Sequence, residues 1–231
     1  MTEENPLNAA REAVIGAALA HVPFDGWSET TLKAALADSG VEPALGAALF
    51  PRGALDLALA YHRQGDTRMM EALAATDLDV LRIRDRIARA VMTRLDLVED
   101  KELVRRGSTF FALPQNAAEG ARAIWGTADA IWTALGDTSD DVNWYSKRAT
   151  LSAVYSATVL YWLGDDSPGH EATRDFLDRR IGDVMQFEKM KAAVRSNPLG
   201  KALLAGPIKL MEQIRAPRAP ADLPGSLKDR T

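Results

Sequence analysis

Three histidines, His21, His62 and His170, are the natural candidates for acid–base or metal chemistry in this chain. None has a second ligand at metal-binding spacing. The residues three positions before them are Ala18, Leu59 and Ser167, so no Glu-x-x-His pair exists for a zinc or di-iron centre. Cysteine is absent, which excludes disulfides, thiolate nucleophiles, Cys-ligated zinc and iron–sulfur clusters. No Gly-x-Ser-x-Gly and no glycine-rich phosphate loop occurs. Two acidic turns, Gly136–Asp141 and Gly164–Ser167, lack the alternate-ligand pattern of a calcium loop and fit helix capping instead. The expectation is a non-enzyme with no cofactor and no metal.

Aromatic residues are more informative. The span from Ile124 to Leu163 holds four of the five tryptophans, with Trp125, Ala128, Ile131, Trp132 and Leu135 at helical spacing. Such a stripe is either core or the wall of a cavity for an apolar ligand, and spacing alone leaves both open. Trp125, Ala128, Trp132, Val154, Tyr155 and Trp162 form the candidate lipid-contacting set. A second group, Asp141, Trp144, Tyr145 and Arg148, lies close on one helix surface. Aromatics beside arginine are typical of protein-docking hot spots, although ordinary packing accounts for them equally well.

Charge is uneven. From Lys189 to Arg218 there are seven bases and the single acid Glu212, a balance of +6 that leaves −10 on the remainder of a chain whose net charge is −4. Within this basic end, Leu199, Leu203, Leu204, Ile208, Leu210, Met211 and Ile214 share one half of a helical wheel. Lys201, Lys209, Glu212 and Gln213 share the other. An amphipathic basic helix of this kind suits an anionic membrane surface, with packing on the protein body as the alternative.

The elements that would carry these groups read as helices throughout. Alanine and leucine dominate over β-branched residues, and 47% of the chain is hydrophobic. Helices are expected over about Leu7–His21, Ser28–Asp38, Pro43–Phe50, Arg52–Ala75, Asp77–Leu97, Ala112–Gly136, Val142–Leu163, Ser167–Phe187 and Leu199–Arg215. Ser28 and Ser167 are the expected N-caps, with Thr138 and Asp141 as a capping pair. The first three helices, broken at Ser39-Gly40-Val41, make a helix-turn-helix pattern that looks like the N-terminal domain of TetR-type regulators. The third helix should read DNA, yet Pro43-Ala44-Leu45-Gly46-Ala47-Ala48-Leu49 offers almost no hydrogen-bond donor. Residues 1–65 carry four bases against eight acids, which opposes phosphate binding. No nucleic-acid partner is expected.

Four units are expected: a helix-turn-helix-like module over 1–51, a lipid-binding and dimerisation domain over 52–190, the amphipathic helix over 191–216 and a disordered tail over 217–231. No stretch approaches the roughly 20 apolar residues that span a bilayer. The acidic start Met1-Thr2-Glu3-Glu4 resembles neither a secretion signal nor a transit peptide. The expected location is the bacterial cytoplasm, peripheral on the inner face of the plasma membrane.

Taken together, these residues resemble the Coq-nine family of ubiquinone biosynthesis proteins. The most specific stretch runs Asp141-Val142-Asn143-Trp144-Tyr145-Ser146-Lys147-Arg148-Ala149-Thr150-Leu151 and continues through Asp165-Asp166-Ser167-Pro168 and Thr173–Ile181. Phe111-Ala112-Leu113-Pro114, Asp129-Ala130-Ile131-Trp132 and Leu135-Gly136-Asp137 also match. The resemblance implies an all-α TetR-like fold, a homodimer and an apolar pocket for a polyprenyl quinone intermediate or phospholipid. It further implies partnership with the demethoxyubiquinone hydroxylase, Coq-seven. The family's partner patch maps onto Asp141, Trp144, Tyr145, Arg148 and Ile131, and its membrane helix onto Leu199–Arg215. Ile131 departs from the methionine familiar in animal members. A lipid-responsive transcriptional regulator of the TetR type is the alternative.

Overall fold

The computed structural model describes residues 6–196 and 215–217. Among them every regular element is helical: α1 (Pro6–Ala18), α2 (Val22–Asp25), α3 (Glu29–Ser39), α4 (Pro43–Leu49), α5 (Ala54–Ala74), α6 (Ile83–Asp96), α7 (Lys101–Ala112), α8 (Ala117–Ala134), α9 (Val142–Leu163) and α10 (Glu171–Ser196). Local chemistry explains most boundaries. The Ser28 hydroxyl accepts the Thr31 N–H and starts α3, and Gly40 in the left-handed region (φ 67°) ends it. The Asp141 carboxylate accepts the Asn143 N–H and starts α9. Asp141 is therefore the cap itself, and Thr138 takes no part.

Four expectations need correction. The helix expected from Asp77 begins only at Ile83, because Asp77 accepts the Asp79 N–H and Arg86 binds the carbonyls of Asp79 and Leu81, which holds residues 77–82 in a turn. A helix over Lys101–Ala112 was not expected; Asp100 caps it by accepting the Glu102 N–H. The next helix starts at Ala117 rather than Ala112, after the Asn116 amide has bonded back to the Phe110 carbonyl. Finally, Pro168–His170 form a 3-10 turn with positive φ at Gly169 and His170, so α10 begins at Glu171 and continues to Ser196.

Two cores result. The smaller gathers Val14, Ile15, Ala18, Val22, Trp27, Leu32, Leu49, Phe50 and Leu57 from α1–α5, with Leu103 from α7. The larger gathers Met69, Leu73, Val91, Leu95, Ala128, Ile131, Leu151, Tyr155, Trp162, Leu177 and Ile181 from α5, α6, α8, α9 and α10. α5 serves both: Leu57, Ala58 and Ala60 face the first, Met69 and Leu73 the second. Its middle, His62-Arg63-Gln64-Gly65-Asp66, is polar, so the joint between the cores cannot be packed with aliphatic groups alone. The basic helix expected over Leu199–Arg215 lies almost wholly outside the described residues. So do its named residues Leu199, Lys201, Leu203, Leu204, Ile208, Lys209, Leu210, Met211 and Ile214, and the tail from 218. Among the described residues, no helix is long and apolar enough to cross a membrane.

Candidate functional site

A half-open cavity of about 380 Å³ lies at the joint between the two cores, bounded by α5–α9 with Trp27 on its wall. Its existence follows from side-chain size. Ala112 and Ala117, Gly120, Ala121 and Ala123 of α8 present little bulk opposite Leu103, Val104, Phe111, Ile124, Val159 and Leu160. Gly120 also lets α7 and α8 approach, since a Cβ there would stand 2.7 Å from the Phe111 Cβ. Trp27 is fixed by its indole N–H, which donates to the Leu103 carbonyl at 3.1 Å, and by its ring contact with Tyr61 at 5.0 Å. The volume lies in the range of roughly 300–1,000 Å³ usual for small-molecule sites.

One end of the cavity is polar. His62, Arg94 and Tyr155 line it, and behind them Asp66 and Thr127 complete a closed network. The Arg94 Nε donates to Asp66 at 2.8 Å and its Nη2 to the His62 carbonyl at 3.2 Å. The Thr127 hydroxyl donates to Asp66 at 3.0 Å. His62 Nε2 lies 2.8 Å from that hydroxyl oxygen and 3.2 Å from the Ala123 carbonyl. A carbonyl only accepts, and the hydroxyl proton is directed at Asp66, so Nε2 carries the proton. Burial lowers the His62 pKa below its usual value and keeps the ring neutral. Burial also raises the Tyr61 and Tyr155 hydroxyls, which stay protonated. For Arg94, burial works against the charge, but the charge-assisted hydrogen bond to Asp66 favours it, and the pKa is raised. Gly65 makes room for this guanidinium, for a Cβ there would stand 2.5 Å from its central carbon.

A second constellation surrounds the start of α9. The Trp144 and Tyr145 rings meet edge to face at 4.8 Å, and Trp125 of α8 joins them at 6.0 Å and 6.4 Å. Arg148 stacks its guanidinium 4.0 Å from the Trp144 ring centre. The same group donates to Asp129, to Asp137 at 3.1 Å and to the Trp144 carbonyl at 3.2 Å. Lys147 adds bonds to Asp137 at 2.6 Å and to the Ser139 hydroxyl at 2.7 Å. Burial pushes the Asp137 carboxyl up, but hydrogen bonds from Lys147, Ser139 and Arg148 prevail and hold its pKa at about 2.

The structure distributes the sequence candidates as follows. Trp144, Tyr145 and Asp141 are partly exposed at one corner, with Trp125 beside them. Arg148 is only 3% exposed and anchors that corner from within, whereas a surface position was expected. Ile131 is fully buried in the larger core, so a partner would sense it only through its neighbours. Of the lipid-contacting set, Tyr155 lines the cavity. Val154 and Trp132 line a separate groove of about 480 Å³ between α6, α9 and α10. Ala128 and Trp162 are core residues. The cavity residues missed from sequence are Trp27, Tyr61, His62 and Arg94. Trp27 is the one tryptophan outside the central cluster, and that isolation was the available signal. Among the described residues, no group of three or more His, Asp or Glu side chains is placed to hold a metal ion.

Comparison with known proteins gives the family context. Residues 117–188, which include the whole aromatic corner, match the family model described as COQ9. The chain is 32% identical over 201 residues to the ubiquinone biosynthesis protein COQ9, mitochondrial, of Homo sapiens, covering 84% of this chain and 62% of that protein. It is 30% identical over 189 residues to the corresponding protein of Drosophila melanogaster, covering 80% of this chain and 58% of that one. It thus spans about three fifths of the length of these curated relatives. Among solved structures, the TetR transcriptional regulator from Nitrosomonas europaea superposes with a TM-score of 0.58 at 20% identity, covering 77% of this chain and 97% of that one. At such low identity this likeness speaks for the fold alone. Family segment, curated proteins and helical architecture agree: the chain is similar to the COQ9 proteins over most of its length and has a TetR-like all-α fold.

Proposed function

We propose that this chain is a non-catalytic accessory protein of ubiquinone biosynthesis that shelters a long-tailed apolar molecule, a polyprenyl quinone intermediate or a phospholipid, and presents it to the demethoxyubiquinone hydroxylase. The observation that carries this reading is the cavity: an apolar, half-open hollow with one polar end, in a chain similar to proteins named for ubiquinone biosynthesis. Each buried methylene is worth about 0.8 kcal/mol relative to water, so an apolar enclosure offsets much of the cost of leaving a bilayer. A cavity of about 380 Å³ suits a ring and the first part of a tail. The Tyr61 and Tyr155 hydroxyls supply hydrogen-bonding groups beside a ring oxygen. The Asp141, Trp144 and Tyr145 corner, braced by Arg148, is the docking face for the hydroxylase. The protein acts as a homodimer, peripheral on a bacterial inner membrane through Leu199–Arg215.

Titration with a short-tailed ubiquinone tests the site. Trp27 lines the cavity, so its emission is quenched saturably at one quinone per chain, and Trp27→Phe removes that component. Quenching that rises linearly without saturation overturns the reading. A lipid-responsive transcriptional regulator is the second reading, favoured by the likeness to a TetR regulator. Against it, α4 presents Ala44, Ala47 and Ala48 where a DNA reader needs donors. A gel shift with fragments of the upstream region separates the two.

A further inference from the structure

The described residues near the C-terminus are not free of the body. The Ala216 N–H donates to the Asp140 carbonyl at 2.9 Å, and the Tyr145 hydroxyl donates to the Arg215 carbonyl at 3.2 Å. Residues 215–217 therefore rest on the loop before α9 and on its first turn, where Tyr145 meets Trp144 and Trp125. Both bonds use the backbone of the tail, and Ala216 is half-buried while Arg215 and Pro217 are exposed. Charge favours the same placement: the corner carries Asp140 and Asp141, and the tail carries Arg215 and Arg218. The bond from Tyr145 occupies the polar tip of its ring in the aromatic cluster.

We propose that Arg215–Pro217 is an intramolecular strap over the Asp140–Tyr145 corner, which a protein docking there must displace. The identity of that docking protein rests on the function proposed above; the strap itself does not. A partner that needs the corner open sees its affinity divided by the open fraction, so releasing the strap tightens binding. One backbone hydrogen bond and one from the Tyr145 hydroxyl hold the chain modestly, which makes the strap displaceable rather than permanent.

Because the chain has no cysteine, Pro217→Cys gives a unique attachment point for bimane, a fluorophore quenched by tryptophan at contact. In the full-length chain the label is quenched by the Trp144 and Trp125 cluster. Ala216→Pro, which removes the N–H donor, relieves the quenching, whereas Ala216→Gly retains it. A label that is bright from the start, or indifferent to Ala216→Pro, overturns the strap. The hydroxylase arm follows in the same samples. Adding the hydroxylase relieves the quenching, and Ala216→Pro tightens its binding by about threefold to tenfold. Hydroxylase binding that leaves both the quenching and the Ala216→Pro affinity unchanged overturns the competition. Failure of the hydroxylase to bind any variant overturns the proposed partner instead, with the quenching arm still deciding the strap.

Discussion

Gly65 sits in the middle of α5, where replacing glycine with alanine ordinarily stabilises a helix by about 1 kcal/mol. Here the sign should reverse. A Cβ at this position would stand 2.5 Å from the Arg94 guanidinium carbon. That guanidinium has no free path away: its side chain is 7% exposed, its Nε is bonded to Asp66 and its Nη2 to the His62 carbonyl. Gly65→Ala must displace a charge-assisted hydrogen bond worth about 1.5–3 kcal/mol, so the net effect is a loss of about 0.5–2 kcal/mol. In the Arg94→Ala background the obstacle is gone. Arg94→Ala itself costs about 3–5 kcal/mol, because Asp66 stays half-buried with its charge uncompensated. Added to it, Gly65→Ala should then stabilise by about 1 kcal/mol. The assay is urea unfolding followed by helical circular dichroism on the four proteins of this cycle, and the expected coupling is about 1.5–3 kcal/mol. If Gly65→Ala raises the stability of the parent chain by its ordinary increment, the polar end of the cavity is not built as described.

Three further outcomes are expected. Ala121→Trp places bulk at the exposed rim of the cavity, and it should leave the helical spectrum intact while weakening short-tailed ubiquinone binding at least tenfold, about 1.4 kcal/mol, by titration. Trp144→Lys should abolish co-purification with the hydroxylase while leaving quinone binding unchanged, since Trp144 is not part of the cavity lining. Asp137 has a folded-state pKa of about 2, below its ordinary 3.8, so it contributes stability fully present above pH 4 and lost as pH falls toward 2. The shift corresponds to about 2 kcal/mol at most, discounted toward 1 because Lys147 and Asp129 open the network to solvent. Acid titration of unfolding should show this component in the parent chain and lack it in Asp137→Asn.

Some of this architecture was legible in the residues. Local signals placed α3 and α9 because Ser28, Gly40 and Asp141 act within a few residues of themselves. α7 was missed although Leu103, Gly107, Phe110 and Phe111 share one face, because Arg105 and Arg106 dilute the stripe and Asp100 was not recognised as its cap. The Thr138 pairing failed for the opposite reason: one carboxylate, Asp141, does the whole task. The corner around Trp144 was visible as composition, but the burial of Arg148 was not. Its partners Asp129 and Asp137 lie 19 and 11 residues away, and only the packing of α8 against α9 brings them to it. The cavity was harder still. It is made by what is small, Ala117, Gly120 and Ala121, and by the polar middle of α5, and neither stands out in a chain rich in alanine. The tryptophan-rich span from Ile124 to Leu163 points to Ala128 and Trp162, which are core, whereas Trp27 on the cavity wall lies far from it in sequence.

The enclosure between α5 and α9 is tested most directly by what it carries. Protein purified from its native host, extracted with organic solvent and analysed by mass spectrometry, should yield a prenyl or acyl lipid near one per chain, and Ala121→Trp should come out largely empty. Protein that carries no such molecule, or a lipid content that the rim substitution leaves unchanged, would contradict the account.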